Sequence, residues 1–288
     1  MTRRVAIAVV VVLAMAGLTT SSLSAGAATP LKYVALGDSY TSAPNVGSLA
    51  AGAPIECLQS SGNYPHLVAA GLGASLTDVS CAAATVQNMT SGQYLDQGPQ
   101  FNALSSSTQV VTLGIGGNDN NTFIGAIIGC FATDVLDVFN IGTPCKDTFG
   151  STFVNNINAD GANIAAALQG IHARSPQAKA FVVGYPDILP QSGNCFFTIP
   201  VTTGDVAYLN TMEKSLNAML KTQAQANGAT FVDTFTASIG HDACKSASVR
   251  WVEPVISGAT GIFLHPNAAG ERADAVAVRA ALTNAGIS

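Results

Sequence analysis

The chain has 288 residues, of which 12 are Lys or Arg and 17 are Asp or Glu, giving a net charge of −5. So sparse and acidic a charge set excludes nucleic-acid binding, which depends on clustered Lys and Arg against phosphate. Beyond the first residues every apolar stretch is interrupted by Gly, Asn, Asp or Pro, which excludes stable membrane insertion.

The chain opens with Arg3 and Arg4, continues through an apolar run over residues 5–18, and passes into a small, hydroxylated stretch over 19–28. That order predicts a secretory signal peptide over residues 1–27, with Ala25-Gly26-Ala27 as the cleavage site. The run is shorter than the roughly 20 residues needed to span a bilayer. Residues 28–288 are left as one secreted, extracellular domain, expected to be monomeric, and loss of the two arginines takes the net charge to about −7.

Export places Cys57, Cys81, Cys130, Cys145, Cys195 and Cys244 in an oxidising compartment, where an even set reads as disulfides. Many pairings are open, and the simplest is sequential: Cys57 with Cys81, Cys130 with Cys145, Cys195 with Cys244. No metal-site spacing of Cys and His is present, and neither a metal nor a cofactor is expected.

Residues 33–36, 110–113, 180–183 and 230–232 are short apolar runs bounded by Gly, Pro or Asp, the pattern of buried parallel strands. Helical spacing of apolar residues covers 156–173 and 206–226, each ending at a Pro or Gly signal, and a last helix is expected from Pro266 to residue 282. Strands alternating with helices predict an α/β sandwich with a mainly parallel sheet.

Such a sheet presents functional groups at the carboxyl ends of its strands. Gly37-Asp38-Ser39 follows the first run and Gly116-Gly117-Asn118-Asp119 follows the second, so two glycine-marked polar loops converge on one edge. Ser39 is a candidate nucleophile that needs a base to remove its proton. Asn118 is a candidate donor to a developing oxyanion. Taken singly, each loop also reads as an ordinary turn or cap. Among four histidines, His66, His172 and His241 read as structural or surface residues. His265, just before Pro266-Asn267, is the candidate general base.

Gly37-Asp38-Ser39-Tyr40, Gly116-Gly117-Asn118-Asp119 and His265, in that order, resemble the blocks of the SGNH hydrolases, also called the GDSL lipase and esterase family. The six-cysteine pattern is similar to its extracellular actinobacterial branch. The resemblance spans nearly the whole mature chain. It implies a three-layer α/β/α sandwich of flavodoxin-like type and cofactor-free hydrolysis of carboxylic esters. It assigns Ser39 as nucleophile, with the Ser39 N–H, the Asn118 side chain and a backbone N–H in the stretch Cys81-Ala82-Ala83-Ala84 as oxyanion donors. Ala83 is the candidate there, standing where the family has glycine and expected to keep a negative φ.

A second departure concerns the acid. The family has an aspartate three residues before the histidine, and this chain has Ile262. A backbone carbonyl can orient an imidazole in place of a carboxylate. The expectation is a Ser39/His265 dyad with the carbonyl of Ile262, or of an adjacent residue, on the ring. Glu253, the nearest preceding acid, is the alternative.

The resemblance leaves three ester substrates open: glycerides or simple esters, phospholipids as for a phospholipase A, and O-acetylated sugars. A non-catalytic secreted binding module is the reading from another class. Loops over 124–149 and 188–203 carry Phe131, Phe139, Phe149, Phe196 and Phe197, which read equally as an acyl-binding wall or as a small core beneath the loops.

Overall fold

The computed structural model describes residue 2 and residues 29–137, 139–256 and 261–288. The expected signal peptide over 1–27 lies outside the described residues, apart from residue 2.

In chain order the elements are β1 (Lys32–Gly37), α1 (Ser39–Ser42), α2 (Tyr64–Leu72), β2 (Ser75–Asp78), β3 (Val110–Gly114), α3 (Thr122–Asp134), α4 (Pro144–Phe149) and α5 (Thr152–Arg174). They continue with β4 (Lys179–Val183), α6 (Thr203–Ala226), β5 (Thr230–Val232), α7 (Phe235–Ser238) and α8 (Ala268–Asn284). The five strands form one parallel sheet in the order β2-β1-β3-β4-β5.

Alternate residues of each central strand feed two cores. Val34, Leu36, Val111, Leu113, Ala180 and Val182 pack with Ile164, Leu168, Leu216 and Leu220 of α5 and α6. Tyr33, Ala35, Val110, Phe181 and Val183 pack on the other face with Val68, Val278 and Leu282 of α2 and α8. Burial on both faces explains why these strands read as continuous apolar runs. The result is the expected three-layer α/β/α sandwich.

β2 is absent from the strands read in the sequence. It is an edge strand, Ser-Leu-Thr-Asp, whose residues alternate between exposed and half-buried, so it lacks an apolar run. α8 begins two residues later than expected. The Asn267 side chain accepts from the N–H groups of Ala269 (2.9 Å) and Gly270 (3.2 Å), so Asn267 is the cap and Pro266 stays outside the helix.

All six cysteines are paired sequentially, Cys57–Cys81, Cys130–Cys145 and Cys195–Cys244. Among the described residues, no helix is long and apolar enough to cross a membrane.

Candidate active site

The order β2-β1-β3-β4-β5 reverses direction between β1 and β3, and in open α/β sheets the crevice at such a switch point is where ligands bind. Gly37 pairs with Gly114 at that edge. A Cβ on Gly37 would collide with Thr41 Oγ1 and stand 2.6 Å from the Gly114 carbonyl oxygen, so only glycine lets the two strand ends close up here. The Asp38 N–H donates to the Gly114 carbonyl (2.9 Å), and the Cys81 N–H donates to the Gly37 carbonyl (3.0 Å). These bonds stitch the loops after β1, β2 and β3 together.

Ser39 is the first residue of α1, whose cap is Asp38: one carboxylate oxygen accepts the Tyr40 N–H (2.9 Å). The other accepts the Tyr185 hydroxyl (2.5 Å), which itself accepts the Gly117 N–H (2.8 Å). Tyr185, from the loop after β4, thereby joins the nucleophile turn to the Gly116–Asp119 loop. Burial raises the Asp38 carboxyl to about 7, opposed by the Tyr185 and Tyr40 donors.

His265 Nε2 lies 2.7 Å from Ser39 Oγ, across 226 residues of chain. Its Nδ1 lies 2.8 Å from the Phe263 carbonyl oxygen. Nδ1 is the donor in that pair, which leaves Nε2 free to accept the serine proton. Burial lowers the His265 pKa below its ordinary value, against the Phe263 bond, so the ring is neutral at neutral pH.

The orienting carbonyl is therefore that of Phe263 and not that of Ile262. The Ile262 carbonyl is engaged by the backbone N–H of His265 itself (3.2 Å). Leu264, at φ 58°, turns the chain so that the preceding carbonyl faces the ring. Glu253 does not reach the imidazole. Its carboxylate binds Arg250 (2.7 Å) and the Asn267 amide (3.0 Å), while its backbone N–H and carbonyl clasp His265 and Leu264.

Tyr40 supplies the other fastening of this loop. Its hydroxyl donates to the Leu264 carbonyl (2.5 Å), and its ring stacks on the imidazole with centroids 4.6 Å apart. A leucine in the left-handed region costs about 1–3 kcal/mol and persists only where neighbours hold it.

The loops that carry the three expected oxyanion donors are bonded to one another. Asn118 Nδ2 donates one hydrogen to the Ala84 carbonyl (3.0 Å), leaving its second hydrogen available. Both carboxylate oxygens of Asp119 accept the Val86 N–H (2.9 and 3.1 Å). The Gly116–Asp119 loop thus grips the Ala83 loop on either side of Thr85. Ala83 differs from expectation: its φ is 62°, not negative, in the left-handed region that favours the family's glycine. The N–H groups of Ser39 and Ala83 make no hydrogen bond within the described residues.

The remaining histidines are engaged elsewhere. His66 meets Asn63 (2.7 Å), His172 meets the Asn227 carbonyl (2.9 Å), and His241 stacks on Trp251. Among the described residues, no group of His, Cys, Asp or Glu could hold a metal ion.

The phenylalanine loops divide between the two readings. Phe131 lines an apolar crevice with Phe123, Ile127, Ile199 and Leu264 that runs beside the imidazole loop. Phe149 packs on Phe153 as part of the core, whereas Phe139 and Phe197 are 80% and 86% exposed.

Phe263 falls within the expectation of a carbonyl at Ile262 or an adjacent residue, whereas Tyr185 and the roles of Tyr40 and Asp119 were missed in the sequence. Tyr40 and Asp119 sit inside the quoted motifs, and Tyr185 stands at the carboxyl end of β4, where the strand-edge rule could have found it.

The sequence pattern of the GDSL-like lipase/acylhydrolase family matches residues 35–273. The chain belongs to this family. It is 42% identical over 275 residues to Lipase 2 of Streptomyces coelicolor, covering 94% of this chain and 92% of that one. An esterase of Streptomyces scabiei is 29% identical over 82% of this chain and 78% of its own length. Among solved structures, phospholipase A1 from Streptomyces albidoflavus NA297 superposes with a TM-score of 0.74 at 26% identity, over 88% of this chain and 99% of that chain. The extracellular lipase of Streptomyces rimosus superposes at 0.72 with 25% identity, over 87% and 99%. This GDSL family member is a carboxylic ester hydrolase of the lipase and esterase kind.

Proposed function

We propose that this GDSL hydrolase is a secreted lipase or esterase that cleaves carboxylic esters of lipids through a Ser39–His265 dyad, with the Phe263 carbonyl in place of a triad acid. The observation that carries it is the imidazole held between Ser39 Oγ at 2.7 Å and the Phe263 carbonyl at 2.8 Å. Ser39 Oγ attacks the ester carbonyl carbon as Nε2 takes its proton. The Ser39 and Ala83 N–H groups and the Asn118 amide receive the charge that forms on the carbonyl oxygen. Collapse of the tetrahedral species breaks the bond to the alcohol, which leaves with the proton from Nε2. Water then gives a proton to the same nitrogen, attacks the acyl-enzyme and releases the acid, restoring Ser39. A carbonyl orients the ring but contributes less than a full negative charge to stabilising the imidazolium.

The apolar crevice beside Leu264 supports binding of an acyl chain. Likeness to a phospholipase A1 favours phospholipid as a second substrate. Export of residues 28–288, after removal of residues 1–27, is supported by the charged, apolar and small-residue order of that segment and by three disulfides.

The test is turnover by purified protein of p-nitrophenyl esters of graded chain length, glycerides, phosphatidylcholine and acetylated sugars, each beside Ser39→Ala. The expected result is a loss of roughly 10⁶-fold in kcat on removing the nucleophile, with an unchanged melting temperature. Absence of Ser39-dependent turnover on every substrate would favour the binding-module reading.

A further inference from the structure

Of the side chains lining the crevice beside Leu264, all are apolar but one. The exception is Glu213, on the inward stripe of α6 that also carries Leu209, Met212 and Leu216, and it is only 3% exposed. A carboxyl here interrupts an otherwise apolar face. Its Oε2 accepts the Ile188 N–H at a long 3.4 Å, and its Oε1 has no hydrogen-bond partner among the described residues.

The charged groups around it do not neutralise it. Lys214 directs its ammonium to Gln191 (2.8 Å), and Asp187 is a second acid. Burial first, and Asp187 next, push the Glu213 carboxyl well above the usual carboxylate range. A carboxyl so placed favours its neutral, protonated form over the carboxylate. With Oε2 already accepting from Ile188, the proton belongs on Oε1, where it is a donor without an acceptor. The same crevice reaches the dyad: Phe123 in its wall stacks on Tyr40 at 5.8 Å, and Leu264 receives the Tyr40 hydroxyl.

We infer that Glu213 is a specificity-determining residue that donates a hydrogen bond to an oxygen carried along the acyl chain, so that the crevice selects oxygen-bearing acyl esters over plain hydrocarbon ones. The inference rests on the proposed esterase reading and on the crevice as its acyl site. A plain chain leaves the donor buried and unpaired, and a site built around a polar partner discriminates strongly against an analogue that lacks it. An oxo group fits best, since its carbonyl oxygen accepts without bringing a further donor into an apolar wall.

The experiment compares kcat/KM for p-nitrophenyl octanoate with four oxo-octanoates carrying the carbonyl at C4, C5, C6 or C7. Wild type, Glu213→Gln and Glu213→Leu are measured side by side. The expected result is one oxo position favoured over octanoate by about tenfold or more in wild type. Gln, which keeps a donor, retains the preference. Leu abolishes it, the ratio of oxo ester to octanoate falling to about one. No oxo ester exceeding octanoate in wild type, or a preference that survives in Glu213→Leu, overturns the inference. Glu213→Leu leaves the Ile188 N–H without its long bond, so melting temperature is read beside each rate, and Glu213→Met supplies the same comparison should the leucine variant not fold. Octanoate that is not cleaved in a Ser39-dependent way defeats the esterase reading itself, whereas octanoate cleaved with no oxo preference defeats only this inference.

Discussion

Ser39 stands two residues beyond β1, and its position follows from a sheet buried on both faces and from a Gly37–Gly114 contact that admits no side chain. His265 stands on irregular chain ahead of α8, and its position follows from individual bonds: Tyr40 to Leu264, Glu253 to Leu264 and His265, and Phe263 to the ring. One partner of the proposed dyad is placed by secondary structure and the other by a handful of side-chain and backbone contacts. The comparison teaches where the proposed catalysis is vulnerable: Ser39 is hard to displace without unfolding the sheet, while His265 should be loosened by removing a single hydroxyl.

The largest effect that sharpens this contrast is expected at Glu253. Glu253→Ala leaves Arg250 without its buried partner and unclasps Asn267. It should cost about 3–5 kcal/mol of stability, seen as a lower melting temperature, with the rate per folded molecule largely retained. A rate loss of about a thousandfold at unchanged melting temperature would instead make Glu253 the missing acid.

Asn118→Ala comes next. Losing one oxyanion donor should lower kcat by about 10²- to 10³-fold with KM little changed, and loss of the bond to Ala84 adds a loosened Ala83 loop. Equal kcat in the variant would remove Asn118 from the cradle.

Tyr40→Phe tests the base side alone. It keeps the ring against the imidazole and deletes the bond to the Leu264 carbonyl, so kcat should fall by about tenfold, roughly the 1.4 kcal/mol of one hydrogen bond. Stopped-flow or steady-state kinetics with KM unchanged would check it, and a kcat equal to wild type would break the contrast drawn here.

The smallest effect is in pH. Burial lowers the His265 pKa, and the base must be neutral, so kcat/KM should rise through a midpoint below 6.5 and stay high above it. Stability should run the other way across this range. Burial raises Asp38 and Asp119 to about 7, above the ~4 of an unfolded chain. Their contribution is full below pH ~4 and is lost as pH rises through about 7. A melting temperature higher at pH 5 than at pH 8, beside a rate lower at pH 5 than at pH 8, is the expected pair of curves.

The parts placed by secondary structure are the parts the sequence made legible. β1, β3 and β4 announced themselves as apolar runs because both their faces are buried, and the loops after β1 and β3 carried Ser39 and Asn118 with them. Of the two edge strands, β5 was legible through Phe231 and Val232, whereas β2, Ser-Leu-Thr-Asp, has no apolar run. The group behind His265 escaped for a related reason: which carbonyl faces the ring depends on the left-handed turn at Leu264, and leucine gives no hint of a positive φ. At Ala83 the expected negative φ failed: the backbone there is left-handed, a conformation that glycine adopts freely and alanine at a cost. Tyr185 sits at a strand end where the strand-edge rule could have flagged it, but its bond to Asp38 spans 147 residues, and Glu213 carries no local pattern that sets it apart on α6.

Asn118 and Asp119 hold Ala84 and Val86 from opposite sides of Thr85, so two of the three groups that would receive negative charge are parts of a single braced unit. Dipoles fixed in advance need not swing round when that charge appears, which spares the reorganisation that water would have to undergo. A brace of this kind also means that the amide and the neighbouring N–H would shift together, so substitutions in either loop should report on both.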